Sequence, residues 1–331
     1  MSLKKSSQIK RVSTPRSIVL GLWSLTAAIA LASCSQPATQ ITTLEVGETP
    51  APQPSDTAQA NLVRFGVLVI DNAVSVRQRY APLLAYLSEA TGHPFELVLL
   101  TQESQFSSVA AKKIDFVATN SLAAVQLQRL YGAEFLATHS RPQTGTQFSG
   151  SIIVREDSNI QTLKDLRGRR VACVNFQTAA AGCVFQIQHL LNEGIDPFTD
   201  FEQFIENQSQ DNIVLAVLNR TLDAGFVRTG QLEKMVSQQL LANDDDIRVL
   251  APVKDDFYYA HTTALYPEWP VAALQHADPA LVSQVKTALM EIESQHPALT
   301  AAKLDGFVSA TDYSAIDRMI ERLRLKSWEI K

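Results

Sequence analysis

The residues Asn175-Phe176-Gln177-Thr178-Ala179-Ala180-Ala181-Gly182 follow an apolar strand expected over 170–174 and open a helix expected over 183–192. Backbone N–H groups in the first turn of a helix lack carbonyl partners, and with the helix dipole they form a site for an anion. A run of small residues also suits a tightly packed turn, and the sequence leaves both readings open. Arg228 follows a second apolar strand, 224–227, and Thr229 comes next. A guanidinium at a strand C-terminus facing a cleft can grip a carboxylate, a sulfur oxyanion or a phosphate through paired hydrogen bonds. It can equally pair with a structural Asp or bridge two lobes. Thr119, Asn120 and Ser121 end strand 114–118 and begin another helix, where capping and ligand contact draw on the same N-terminal donors.

Catalytic patterns are missing. The chain has no G-x-S-x-G, H-E-x-x-H, Walker loop or paired-cysteine metal motif, and its six histidines are scattered. Cys183 and His189 face different sides of one helix, and Asp244-Asp245-Asp246 reads as a solvated loop. No cofactor or metal is expected, and the protein reads as a binder, not an enzyme. The formal charge of the 331 residues is −5. Lys4, Lys5, Lys10, Arg11 and Arg16 precede any acid, so losing those five cations with a leader takes the charge from −5 to −10. So acidic a body does not suit nucleic acid.

These groups must be positioned by what lies around them. The basic start, an apolar run from Ile18 to Ala32 and the ending Leu31-Ala32-Ser33-Cys34 resemble a bacterial lipoprotein leader. Residues 1–33 are then a signal peptide, and Cys34 is a lipidated first residue that anchors the protein to a membrane. An uncleaved anchor helix or an ordinary signal peptide is the alternative. Residues 34–60 are rich in Pro, Thr, Ala and Gln and read as a disordered tether. From Asn61 strands and helices alternate, which predicts an α/β architecture of two lobes, each a central sheet flanked by helices. Residues 61–148 with 262–331 form lobe one and 149–261 lobe two, with hinge crossings near 147–150 and 252–261. Tyr80, Leu83, Leu84 and Leu87 mark a helix face that Gly92 stops, with Pro82 tolerable only near the first turn. Cys173 in a strand and Cys183 in the next helix are poorly placed for a bridge, which favours two buried thiols.

Short motifs then carry a family resemblance over about 63–325. They include Tyr80-Ala81-Pro82-Leu83, Ile114-Asp115-Phe116, Ser151-Ile152-Ile153-Val154 with Asp157-Ser158, and Leu163-Lys164-Asp165-Leu166-Arg167-Gly168. Gly194-Ile195-Asp196-Pro197, Ala216-Val217-Leu218-Asn219 and Asp223-Ala224-Gly225 continue the order. The body resembles phosphonate/phosphite-type periplasmic binding proteins, type II receptors of ABC transporters. Asp115-Phe116-Val117-Ala118-Thr119-Asn120, Arg228-Thr229-Gly230 and Tyr266-Pro267-Glu268-Trp269-Pro270 lean toward the periplasmic sensor domains of tetrathionate-type histidine kinases. The resemblance implies a monomeric extracytoplasmic receptor for a small anionic solute, delivering to an ABC permease or, alternatively, informing a histidine kinase or chemoreceptor. With no kinase following in this sequence, it reads as a free receptor. The resemblance places Thr119, Asn120 and Ser121 on the lobe-one rim of the pocket. It puts Gln210 where phosphonate binders have a histidine and Gln102 near a pocket tyrosine. Thr178 and Gly182 fall in the family's hydroxyl-rich anion loop, with alanines replacing its other hydroxyls. Arg228 stands where aminophosphonate binders have an acid, and Thr229 is beside it. The alanines of that loop and Gln210 in place of a histidine both depart from the phosphonate-binding pattern.

Overall fold

The computed structural model describes residues 62–70 and 72–323; the leader, Cys34 and the tether lie outside the described residues. The strands in chain order are β1 (Val63–Leu68), β2 (Phe95–Leu100), β3 (Phe116–Ala118), β4 (Glu134–Ser140), β5 (Gln147–Phe148), β6 (Gly150–Arg155) and β7 (Arg170–Cys173). Then come β8 (Gln203–Glu206), β9 (Ala224–Arg228), β10 (Ile247–Val249), β11 (Tyr266–Pro267), β12 (Pro270–Ala273) and β13 (Gly306–Ser309). A six-stranded sheet has the order β13-β4-β12-β3-β1-β2, and a five-stranded sheet the order β10-β6-β9-β7-β8. The first sheet thus takes strands from both ends of the described chain, while the second is built from the middle. β5 and β11 pair antiparallel, Phe148 opposite Tyr266, and carry the chain between the sheets in both directions. This is a two-lobed α/β architecture, one sheet to each lobe.

The strands that are buried on both faces read as apolar runs because helices cover each sheet. Phe65 and Phe116 stack at 6.3 Å in the first core, and Val171, Ala172 and Phe226 are fully buried in the second. Helix Ala73–Thr91 buries Val76, Tyr80, Leu83, Leu84 and Leu87, the stripe expected from its spacing. It begins well before Tyr80, capped by Asn72, whose side chain accepts from Ser75 N at 2.8 Å. Pro82 therefore sits in mid-helix, not in the first turn. The carbonyl it leaves without a partner belongs to Gln78, an exposed residue that water can serve. Gly92 ends the helix in the left-handed conformation, φ 72°. No helix among the described residues is long and apolar enough to cross a membrane.

Residues 262–265 form an irregular stretch held in part by hydroxyls. Thr262 Oγ1 donates to Leu250 O at 2.8 Å and accepts from Ile152 N at 3.0 Å. Thr263 Oγ1 accepts from Gly150 N at 3.0 Å. Backbone bonds from Thr262 N and Thr263 N to Gly150 O, at 3.0 and 3.1 Å, complete the anchorage.

His139 in β4 is buried, with Nδ1 2.7 Å from Trp269 O. Burial, reinforced by the charges of Arg141 and Arg79, pushes its imidazole down to about 3. The unfolded chain, with an ordinary imidazole near 6.5, then binds more protons than the folded one between those values. Stability is full above pH 6.5 and falls on acidification toward pH 3, by about 1.4 kcal/mol per pH unit from this group. Urea unfolding at pH 7.5 and 4.5 is expected to show a smaller acid loss in His139→Gln than in the parent; equal losses would remove His139 from the account.

Candidate functional site

β7 runs out at Cys173 and the chain turns through Val174–Gly182 into a continuous helical stretch, a wide π turn at Ala180–Val184 followed by α-helix Phe185–Asn192. Val174 N donates to Gly182 O at 2.9 Å, closing the turn on itself. That bond lays the next residue, Cys183, beside Cys173, and the two form a disulfide with Cα atoms 5.0 Å apart. The expected pair of thiols is thus corrected. Strand and helix placement alone argued against a bridge, but the backbone folds back between them. A ring of this size stabilises the fold by about 2.7 kcal/mol through the unfolded chain.

A second anchor is Gln186, fully buried, whose Nε2 lies 2.7 Å from Ala181 O, 2.9 Å from Val227 O and 3.2 Å from Ser151 O. It knits the turn to β6 and β9. Gly150 permits this, since a Cβ there would fall 2.5 Å from Gln186 Nε2. Gly182 is constrained likewise: a Cβ would fall 2.8 Å from Val174 Cγ2.

This turn forms one wall of a cavity of about 230 Å³ between the sheets. Ala179, Ala180, Ala181 and Gly182 line it, so small side chains let the first-turn N–H groups approach a guest. Arg228, at the end of β9, lines it from beside the hinge, since its register partner is Gly150. Gln210 lines it too, and its Oε1 accepts from Arg228 N at 2.8 Å, fixing the strand end from which the guanidinium projects. From the first lobe come Gln102, Asn120 and the acidic Glu103. Gln102 Oε1 is buried with no hydrogen-bond partner among the described residues. No group of three or more His, Cys, Asp or Glu among the described residues is placed to hold a metal ion.

Of the residues singled out in the sequence, Gln102, Asn120, Gly182, Gln210 and Arg228 therefore meet around one space. Thr229 lies off it, on an adjoining larger cavity, with its Oγ1 accepting from Ser149 N at 3.3 Å. Thr119, Ser121 and Thr178 do not line the cavity. Thr119 is buried and bonded to Gln105 Oε1 at 2.6 Å. Ser121 is buried in the first turn of helix Ser121–Tyr131. Thr178 turns its hydroxyl back to Asn175 Oδ1 at 2.8 Å and offers only its carbonyl across the cleft. Asn120 caps helix Ser121–Tyr131 through Oδ1, 3.0 Å from Ala123 N, and donates from Nδ2 to Thr178 O at 3.0 Å. Gln126 on the same helix donates to Gln177 O at 2.8 Å. Sequence reasoning missed these two bonds between the halves, and it missed Trp269 as a lining residue. The bonds end on backbone carbonyls, which carry no residue-type signal.

Two sheets, a paired-strand hinge and a donor-lined cavity between them define a periplasmic binding protein of type II. The family model described as "ABC transporter, phosphonate, periplasmic substrate-binding protein" matches residues 65–314. The chain belongs to this family, whose members work outside the cytoplasm. It is 28% identical over 287 residues to the tetrathionate sensor histidine kinase TtrS of Salmonella typhimurium, a match over 83% of this chain and 48% of that protein. The chain thus spans about half the length of this curated relative. Among solved structures, PhnD1 from Prochlorococcus marinus in complex with methylphosphonate superposes with TM-score 0.66 at 15% identity, over 80% of this chain and 98% of that one. XAC2383 from Xanthomonas citri bound to ATP gives 0.64 at 18% identity, with coverage of 80% and 98%. Both share the fold.

The disulfide leads to an expected outcome. Mass spectrometry of the unreduced protein should find no alkylatable thiol at Cys173 or Cys183. The Cys173→Ala/Cys183→Ala variant should lose about 2.7 kcal/mol in urea unfolding; free thiols or unchanged stability would refute the staple.

Proposed function

We propose that this chain is a lipid-anchored extracytoplasmic receptor, tethered through Cys34, that captures a small anionic solute for an ABC permease. It binds without turning its solute over, and it works as a monomer. Residues 61–148 together with 262–331 act as one lobe, and 149–261 as the other. The observation that carries the reading is the meeting of the Arg228 guanidinium with the N-terminus of the helical stretch Ala180–Asn192 at one cavity between the lobes. Arg228 gives the anion a charge-assisted pair, the first-turn amides take its remaining oxygens, and Gln102 and Gln210 meet its polar substituents. Ligand binding across the cleft favours the closed form, which the bonds from Asn120 and Gln126 reinforce, and the permease reads closure.

Similarity to TtrS favours a second reading, in which the closed receptor reports to a membrane sensor. The two separate in cells: loss of the gene abolishes uptake of the solute in one case and only the transcriptional response to it in the other. PhnD1 with methylphosphonate and TtrS with tetrathionate suggest phosphonates and sulfur oxyanions as the first solutes to test, alongside phosphate and phosphite. In a thermal-shift screen a true ligand at one hundred times its dissociation constant adds about 2.7 kcal/mol, or about 5–10 °C. Arg228→Ala should abolish that shift while leaving the unliganded melting temperature within about 2 °C of the parent. A shift that survives the substitution would place the anion elsewhere.

A further inference from the structure

A second cavity of about 700 Å³ adjoins the one at Arg228, and Ile70, Phe148, Arg228 and Trp269 line both. That volume falls among sites that take whole organic molecules, roughly 300–1,000 Å³. Two of its cations are already answered within the protein, Arg141 by Glu268 at 2.7 Å and Lys234 by Asp211 at 3.0 Å. What the space adds to the anion site is aromatic surface: Phe148 and Trp269 where the cavities join, and Tyr258 and Tyr259 in the larger one alone.

Tyr258 is 60% exposed, yet the loop that carries it is tied down. At its base Val253 N donates to His261 O at 2.8 Å, and His261 Nε2 lies 3.1 Å from Asp255 Oδ1. Asp255 Oδ1 also accepts from Phe257 N at 3.1 Å, and the Phe257 ring meets that of His261 edge-on at 5.3 Å. Tyr259 packs on Gly230, where an added Cβ would fall 3.1 Å from Tyr259 Cε2. Its hydroxyl donates to Gln143 Oε1 at 3.3 Å, in the turn after β4. Tyr258 stands edge-on to Tyr259 at 4.8 Å. Its ring is therefore positioned before a guest arrives, and a tyrosine offers a large contact area for two rotatable bonds. Gly230 is two residues beyond Arg228, at most about 7 Å of chain, so a guest held by that guanidinium needs only a short linker to reach the tyrosines.

We propose, on the preceding reading of the Arg228 site, that the solute is an organic oxyanion with a planar ring in its tail. The head group sits against Arg228 and the first turn of the helical stretch Ala180–Asn192, and the ring packs against Tyr258 in the larger cavity. An inorganic oxyanion fills only the first space. Ring-on-ring contact gains more than its buried area alone, which favours a planar ring over a saturated one of similar bulk.

Titration calorimetry with matched probes tests this. Phenyl-, benzyl- and phenethylphosphonate are compared with methylphosphonate and with their cyclohexyl counterparts, and the sulfonates in the same way. With at least one linker the aromatic probe should bind about ten-fold more tightly than the methyl one, because its tail buries apolar surface. It should also bind about three-fold more tightly than the saturated ring. This second preference should vanish in Tyr258→Leu and persist in Tyr258→Phe. If aromatic probes bind no better than methyl or cyclohexyl ones at every linker, if the preference survives Tyr258→Leu, or if it is lost in Tyr258→Phe, the ring-bearing solute is overturned while the anion site stands. If neither these probes nor phosphate, phosphite or thiosulfate bind, the anion site itself falls and the tail with it.

Discussion

An anion leaves water for a partly apolar cleft only where donors already wait for it, because an unpaired buried charge costs more than any packing it gains. The architecture around Val174–Gly182 meets that condition. The turn is closed by the Val174–Gly182 backbone bond, stapled by Cys173–Cys183, and fastened to β6 and β9 by the buried amide of Gln186. Its amides are therefore fixed in direction before any guest arrives, and little reorganisation is required on binding. Arg228 is set in the same way, through the backbone bond to Gln210 and the register with Gly150.

That placement also joins binding to motion. Gly150 lies two residues beyond the end of β5, and Thr229 N donates to the intervening Ser149 O at 3.0 Å. The cation proposed to take the anion is thus paired with a residue just beyond the strands that join the two sheets. Phe185, the first residue of its α-helix, stacks on Tyr266 of β11 at 3.9 Å, so the helix that opens on the cavity also packs on the strands joining the sheets. The carbonyls of Gln177 and Thr178, on the stapled turn, accept the bonds that cross from the first lobe. One short segment carries the cavity wall, the contact between the halves and the packing on the joining strands, so the proposed solute and the proposed closure would act through the same residues.

Much of this was legible in the sequence, and for identifiable reasons. Alternating apolar strands and periodic helices gave the two-sheet layout, and Gly92 and Gly132 end their helices in the left-handed conformation that only glycine adopts at no cost. The helix start after Cys173 and the Arg at the end of β9 were visible because each is a local pattern. What escaped depended on distant chain. Thr119 and Thr178 read as ligand hydroxyls, yet Gln105 and Asn175 occupy them. Pro82 read as a first-turn residue because the stripe that precedes it, at Val76, was too sparse to mark the true start. The disulfide was hidden by a turn whose path depends on one backbone bond.

The claim at the centre is that an anion bound at Arg228 draws two hinged lobes together. Small-angle X-ray scattering of the protein, titrated with the best-binding oxyanion, measures this directly. The radius of gyration should fall with a midpoint equal to the calorimetric dissociation constant, and Arg228→Ala should show no such fall. An unchanged radius at full occupancy would mean a rigid body with a preformed pocket, and the account would be wrong.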